Sequence, residues 1–367
     1  MILGIDGRLA NARHPAGAGR YCRELLRAMG ALAEEPTLRI YLDEEPHSDF
    51  PKTNGEIRVL PRCRFWLHRA LAKELRRDTP DVFFSPVAQL PWRCPCPALV
   101  SVLDLAVCSH PDYFPWRKRL GMRLKTSHAI RGAGHLVAIS ESTATSLGIY
   151  YGVARENITV VPLGIADHFL NLSEAPATTI PGLPDRFVLY VGQVQPRKNL
   201  VRLIEAFTQV CTTHPELPHH LVLAGADGWQ AEATHRAIAA SPLSHRIYRL
   251  GYVPEDALAA LMAKADVLAL VSLWEGFGLP VAEAMAVGTA VLTSNVSSLP
   301  EIVGDAGVTV APDDTGAIAE GLERLLTDEG LRKQCEERGH VQSQQFRWEN
   351  TAEKILAAAR RLGQNRP

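Results

Sequence analysis

Two carboxylates, Glu275 and Glu283, lie eight residues apart in SLWEGFGLPVAEAM (272–285). An apolar run, DVLALVS (Asp266 to Ser272), precedes them with the length and branching of a buried strand. Pro280 and VAEAMAV follow, reading as a short helix that Pro opens and Gly288 stops. Between strand and helix, Trp274, Glu275, Gly276, Phe277 and Gly278 form a tight turn in which the two glycines let a ligand approach the main chain. The free N–H groups and positive dipole end of the helix make an anion site. Carboxylates do not help a phosphate cradle, so their partners are hydroxyl groups. Phosphate and hydroxyls together at one strand end describe a nucleotide sugar.

Further candidates follow other apolar runs. Gly192 leads into QVQPRKN, where Arg197 and Lys198 place two cations at a helix start, against the helix dipole. A diphosphate would offset that placement through charge-assisted hydrogen bonds; a solvated basic turn is the plainer alternative. Gly225 begins GADGW, and Gly251 leads into Tyr252 and Val253; either segment alone reads as a turn or as part of a ligand cradle. Gly17 and Gly19 open the first long helical pattern. Their G-x-G-x-x-C spacing stands about ten residues from the nearest strand, where a dinucleotide turn follows its strand directly. A flexible loop over an anionic ligand is the favoured reading there, an ordinary Gly-rich helix start the alternative. No D-x-D, P-loop, nucleophile elbow or kinase motif occurs. No metal and no cofactor are therefore expected, and a leaving diphosphate's charge falls to Arg197, Lys198 and helix N-termini.

These residues need strands to hold them. In the first half, Ile2–Asp6, Leu38–Leu42, Asp81–Ser85, Ala98–Val102, His135–Ile139 and Ile158–Val161 read as strands. They alternate with helical patterns over Gly19–Leu32, Trp66–Arg77, Trp116–Arg131 and a Ser140-capped segment to Tyr151. Asn171 to Asp185 breaks the pattern with three prolines and reads as a linker. The alternation restarts with strands Phe187–Val191, His220–Ala224, Arg246–Leu250, Asp266–Ser272, Thr289–Thr293 and Gly307–Val310, and the chain is helical from Asp313. The expected fold is α/β, with two Rossmann-like parallel-sheet domains facing across a cleft: 1–170 with a last helix over 348–367, and 186–347.

The 367 residues suffice for two cores, and a net charge of −1 argues against nucleic-acid binding dominated by phosphate contacts. The first half is net basic and the second net acidic. Seven scattered cysteines suit a reducing compartment, and Cys94, Cys96, Cys108 and His110 lack the spacing of a zinc site. No signal peptide or membrane-spanning run is present, so the expected location is cytoplasmic. The segments 62–77 and 116–131 carry clustered Arg and Lys around Trp66 and Trp116 at helical spacing. They read either as peripheral contacts with the inner face of the plasma membrane or as core-facing helices with solvated basic faces.

From end to end the chain resembles the retaining family-4 glycosyltransferases of the GT-B fold, in the branch that builds bacterial surface polysaccharides. GIDGRL (4–9), AGAGRYCRELL (16–26), DVFFSP (81–86), DLAVCSHPDYF (104–114), VAISEST (137–143), VVPLGI (160–165), LYVGQVQPRKNL (189–200), LGYVPEDAL (250–258) and SLWEGFGLPVAEAMAVGTAVLTSNVSSLPEIVGDAG (272–307) carry it, the E-x7-E pair falling on Glu275 and Glu283. The resemblance implies that Glu283 binds the donor ribose and that Glu275 holds sugar hydroxyls beside the anomeric carbon. Main-chain N–H groups of Phe277 to Leu279 then meet sugar or phosphate, and Arg197 with Lys198 binds the diphosphate. Asp104 lies in the motif that faces acceptor and reacting sugar. Relatives there have His where this chain has Leu103, and Arg where it has Gln193. The implied reaction moves a hexose, mannose first, from a nucleotide diphosphate sugar to a glycan or lipid-linked glycan. A nucleotide-sugar hydrolase or epimerase, or an inactive nucleotide- or glycan-binding subunit, are the alternatives.

Overall fold

The computed structural model describes residues 1–13, 17–32, 36–171 and 182–364. Most of the expected linker, 172–181, and the last three residues of the expected final helix lie outside them. The chain divides into two compact units, 1–164 with 346–367, and 165–345.

The first unit is built on a fully parallel seven-stranded sheet. Its strands are β1 (Ile2–Asp6), β2 (Thr37–Leu42), β3 (Glu56–Val59), β4 (Val82–Ser85), β5 (Ala98–Val102), β6 (His135–Ala138) and β7 (Ile158–Val160). Their spatial order is β3-β2-β1-β4-β5-β6-β7. The order reverses between β1 and β4, the switch point where a doubly wound sheet opens a crevice at its carboxyl edge. Strands β4 and β5 are buried along their whole length, as helices covering both sheet faces require. Strand β3 is an addition to the sequence reading. EIRV has no apolar run, is largely exposed, and sits at the sheet edge. Ion pairs hold it instead: Arg39 meets Glu56 at 2.8 Å, and Arg58 meets Glu74 and Asp78 at 2.7 Å each. Charged edges of this kind discourage pairing with other chains.

The helices follow the periodicity with local exceptions. Ser140 caps Glu141–Tyr151 by accepting from the Thr143 N–H at 3.1 Å. The pattern over Trp66–Arg77 splits into a 3₁₀ turn, Trp66–His68, and a helix, Ala70–Arg77, after Phe65 takes a left-handed conformation with φ 62°. The last helix, Trp348–Gln364, packs on Gly17–Ala31 within the first unit. Thr351 Oγ1 donates to the Pro162 carbonyl at 2.8 Å.

The second unit repeats the plan with six parallel strands: β8 (Phe187–Val191), β9 (His220–Ala224), β10 (Ile247–Gly251), β11 (Val267–Leu270), β12 (Ala290–Ser294) and β13 (Val308–Val310). The order β10-β9-β8-β11-β12-β13 reverses between β8 and β11. Both central strands are completely buried. Their carboxyl ends form the switch point at which a doubly wound sheet opens a crevice.

Candidate active site

At that switch point the loops after β8 and β11 interlock. Gly192 leaves β8 with φ 145°, and Gly225 leaves β9 with φ 150°. A Cβ on Gly225 would stand 1.9 Å from the Gly192 carbonyl oxygen. The Val194 N–H donates to the Ala226 carbonyl, and the Gly228 N–H returns to Val194, so the two loops are tied rung by rung.

Beyond them Pro196–Lys198 makes one 3₁₀ turn, and Asn199, left-handed at φ 61°, starts the helix Leu200–Thr213. Asn199 Nδ2 donates to the carbonyls of Val271, at 3.0 Å, and Pro312, at 2.5 Å. It thus fixes the Arg197–Lys198 turn against the segment leaving β11. The Leu273 N–H donates to the Arg197 carbonyl, closing the same junction from the other side. Sequence reasoning passed over Asn199, whose signal was a side chain able to adopt αL at a helix start.

The turn carries two cations onto Glu275. Arg197 Nη1 donates to Glu275 Oε2 at 2.9 Å and to the Trp274 carbonyl at 2.7 Å. Lys198 Nζ meets Oε1 at 2.5 Å, and Ser272 Oγ donates to the same oxygen at 2.6 Å. Glu275 and Lys198 are buried. The plainer reading of Arg197 and Lys198 as a solvated basic turn is thereby overturned. Burial alone would raise the Glu275 pKa, but the facing charges of Arg197 and Lys198 hold it down to about 2. Glu275 is thus an anion at neutral pH, with no proton to donate.

Serines position the turn itself. Ser297 Oγ accepts from the Glu275 N–H at 3.0 Å, and Ser298 Oγ donates to the Glu275 and Phe277 carbonyls. Ser272, Ser297 and Ser298 were not among the sequence candidates; hydroxyls at strand ends give no distinguishing pattern. Gly278, at φ 105°, precedes the helix Leu279–Ala286, and a Cβ there would stand 2.7 Å from Leu299 Cδ2. Glu283 lies on that helix, 1% exposed.

The remaining candidates lie on other elements. Tyr252 is exposed and Val253 half-buried after β10, an edge strand separated from β11 by β9 and β8. Gly17 and Gly19 belong to the first unit and sit in the first turn of the helix Gly17–Ala31, which corrects the flexible-loop reading. Asp104, also in the first unit, is exposed after β5; its Oδ1 accepts the Ala106 N–H at 2.6 Å and so starts the short helix Ala106–Ser109.

Comparison with known proteins agrees with this architecture. The family described as Glycosyl transferases group 1 matches residues 178–342, and Glycosyltransferase Family 4 matches residues 15–169. The chain belongs to the family-4 glycosyltransferases. The glycosyltransferase is 28% identical to the O-antigen chain mannosyltransferase B of Escherichia coli, over 94% of this chain and 96% of that protein. A sucrose-phosphate synthase from Thermosynechococcus elongatus superposes with a TM-score of 0.76 at 20% identity, covering 99% of both chains. The Anabaena protein HepE, solved with UDP and glucose, gives 0.73 at 18% identity, covering 97% of this chain and 98% of that one. The glycosyltransferase therefore has the GT-B fold, two parallel α/β units, and is a hexosyltransferase of that type.

Proposed function

We propose that this glycosyltransferase moves mannose, with retention of configuration and without a metal, from a nucleotide diphosphate sugar to a glycan or lipid-linked glycan. The observation that carries the reading is the Arg197–Lys198–Glu275 cluster at the β8/β11 switch point. In this reading the two cations meet the donor diphosphate. They leave Glu275 as the donor arrives, exchanging one anion for another at little cost in desolvation. The freed carboxylate then accepts from hydroxyls of the transferred sugar. Phe277, Gly278 and Leu279 offer main-chain N–H groups at the helix start, Gly276 belongs to the same turn, and Glu283 takes the ribose. Gly192, Gly225, Tyr252 and Val253 shape the nucleoside end, while Gly17, Gly19 and Asp104 serve the acceptor side. Mannose rests on the likeness to the Escherichia coli mannosyltransferase, and a nucleotide diphosphate on the UDP complex of HepE.

The chemistry favours a same-face route. Glu275 is ionised and so no acid, and in the donor complex Ser272 and the sugar hydroxyls occupy its oxygens, which makes it a poor nucleophile. The bond from the anomeric carbon to the diphosphate oxygen breaks while the acceptor oxygen bonds on the same face. The departing phosphate oxygen takes the acceptor's proton, and Arg197 and Lys198 stabilise its charge. Incubation with GDP-mannose and a mannose-terminated acceptor, followed by NMR of the product, tests this. An α-linked product from the α-configured donor, formed in the presence of a chelator, agrees. An inverted product, or turnover that stops on chelation, opposes it.

The enzyme is further proposed to sit at the membrane face through segments 62–77 and 116–131. Among the described residues no helix is long and apolar enough to cross a membrane. Trp116, Leu120 and Leu124 nonetheless line one side of the helix Trp116–Gly132 and stay exposed among its basic residues.

A further inference from the structure

The sequence CPCP (94–97) ends the loop between β4 and β5, and the transfer reaction leaves its two thiols unused. Cys94 Sγ and Cys96 Sγ stand 3.9 Å apart, in hydrogen-bonding contact. Cys94 is half-buried between exposed Arg93 and exposed Pro95. Cys96 is 8% exposed and belongs to the apolar core of the first unit, against which Cys94 packs. The main chain is held on both sides of the pair. His128 Nε2 donates to the Pro91 carbonyl at 3.1 Å, and the Trp92 N–H donates to His68 Nδ1 at 3.2 Å. The Pro97 carbonyl accepts from the Phe83 N–H at 2.9 Å. Pro91, Pro95 and Pro97 each fix φ, so the backbone itself keeps the two sulfurs together.

Other thiols of the chain are inert by position: burial pushes Cys22, Cys211 and Cys335 up. Cys94 goes the other way. The hydrogen bond from the Cys96 thiol holds it below the ordinary thiol value, burial opposes that, and the Cys96 N–H adds to the lowering. A reachable thiol of this kind with a second thiol in contact is the arrangement of an attacking and a resolving cysteine. A closed zinc site would need further ligands. Among the described residues no group of three or more His, Cys, Asp and Glu could hold a metal ion.

We propose that Cys94 and Cys96 form a reversible dithiol site that exchanges with low-molecular-weight disulfides. Cys94, as the thiolate, attacks one sulfur of the disulfide; the S–S bond breaks, and the departing half takes up the proton that Cys94 gave. Cys96 then loses its proton and attacks the Cys94 sulfur, releasing the second half as a thiol. Two protein thiols are oxidised, and one external disulfide is reduced to two thiols. The sulfurs close by roughly 1.9 Å to reach bonding distance. A ring closed across a single proline is strained, so its bond is of the labile kind that a small thiol reopens. Arg93, exposed next to Cys94 in the chain, suits an anionic disulfide such as glutathione disulfide. The pair belongs to the first unit, whereas Arg197, Lys198 and Glu275 belong to the second, and its reactivity does not depend on the transferase reading.

Mass mapping of the full chain tests this. The native protein is incubated with glutathione disulfide, then unfolded and alkylated, and its cysteine peptides are weighed. The peptide holding Cys94 and Cys96 should lose two hydrogens and escape alkylation, and dithiothreitol should restore both thiols. Cys96→Ser should instead retain glutathione on Cys94, at least about ten-fold more than the wild type does, because the intramolecular second step is lost. Cys94→Ser should leave Cys96 open to alkylation, with no glutathione on it. The wild-type peptide decides alone if either serine variant folds poorly. Four outcomes overturn the proposal: wild-type thiols alkylated as in untreated protein, glutathione persisting on wild-type Cys94, oxidation confined to exposed Cys63, or protection of the pair that a copper(I) chelator removes without a reductant.

Discussion

At the scale of single residues, Glu275 illustrates why pairing outweighs burial. A buried carboxylate beside one apolar wall would be neutral near pH 7; beside Arg197 and Lys198 it is held down to about 2. Its folded pKa lies below the ordinary glutamate value of 4.5, so its stabilising contribution is complete above pH 4.5 and disappears as pH falls toward 2. The shift corresponds to about 3 kcal/mol. Urea unfolding of the wild type and Glu275→Gln should therefore differ most above pH 4.5, the gap shrinking by about that amount toward pH 2. A gap independent of pH would show that the charge is not held as described. The E-x7-E spacing, the glycines and the RK pair were legible in the sequence because each occupies a short, chemically marked stretch. Their contact was not, because Lys198 and Glu275 are 77 positions apart and only the sheet order joins them. The sequence reading gave the cations to phosphate and the acid to hydroxyls; the structure couples them before any donor binds.

At the scale of elements, the site depends on how two loops are fastened. Gly225 lets β9 end directly against the Gly192 carbonyl, and Asn199 fastens the cationic turn to the main chain of Val271 and Pro312. Asn199→Ala removes both hydrogen bonds and leaves a non-glycine residue in αL, at a combined cost of about 3 kcal/mol. Gly225→Ala forces a backbone clash at an unfavourable φ and costs at least about 2 kcal/mol. Gly17→Ala is the contrast: among the described residues no atom lies within 4 Å of its Cβ, and the residue is helical, so stability holds or rises by about 0.5 kcal/mol. Chemical denaturation of the three variants gives the ranking, and equal losses would reject it. Buried parallel strands such as FVLYV could be read from sequence as continuous apolar runs. Strand β3 could not, because its stability comes from Arg39, Glu74 and Asp78 on other elements. The helical first turn at Gly17 was likewise hidden, since glycine spacing suits a loop and a close-packed helix equally.

At the scale of the molecule, repetition of one plan in two units is what the alternating apolar runs announced, and the switch point in each marks where chemistry-bearing loops gather. A ligand confined to the second unit should stabilise that unit alone. With GDP at a hundred times its Kd, hydrogen exchange should slow across 192–199 and 272–283, and unfolding of the second unit should shift by about 2.7 kcal/mol. Uniform protection of both units would contradict that placement. The central claim, that Glu275 contacts the transferred sugar while Arg197 and Lys198 hold the diphosphate, is tested most directly by Glu275→Gln assayed for mannosyl transfer and for GDP affinity together. The variant keeps hydrogen-bonding capacity and loses the charge. Transfer should fall by at least about a hundred-fold, with GDP bound as tightly as before or more tightly, because the two cations no longer face a carboxylate. Turnover within about two-fold of the wild type would contradict the account.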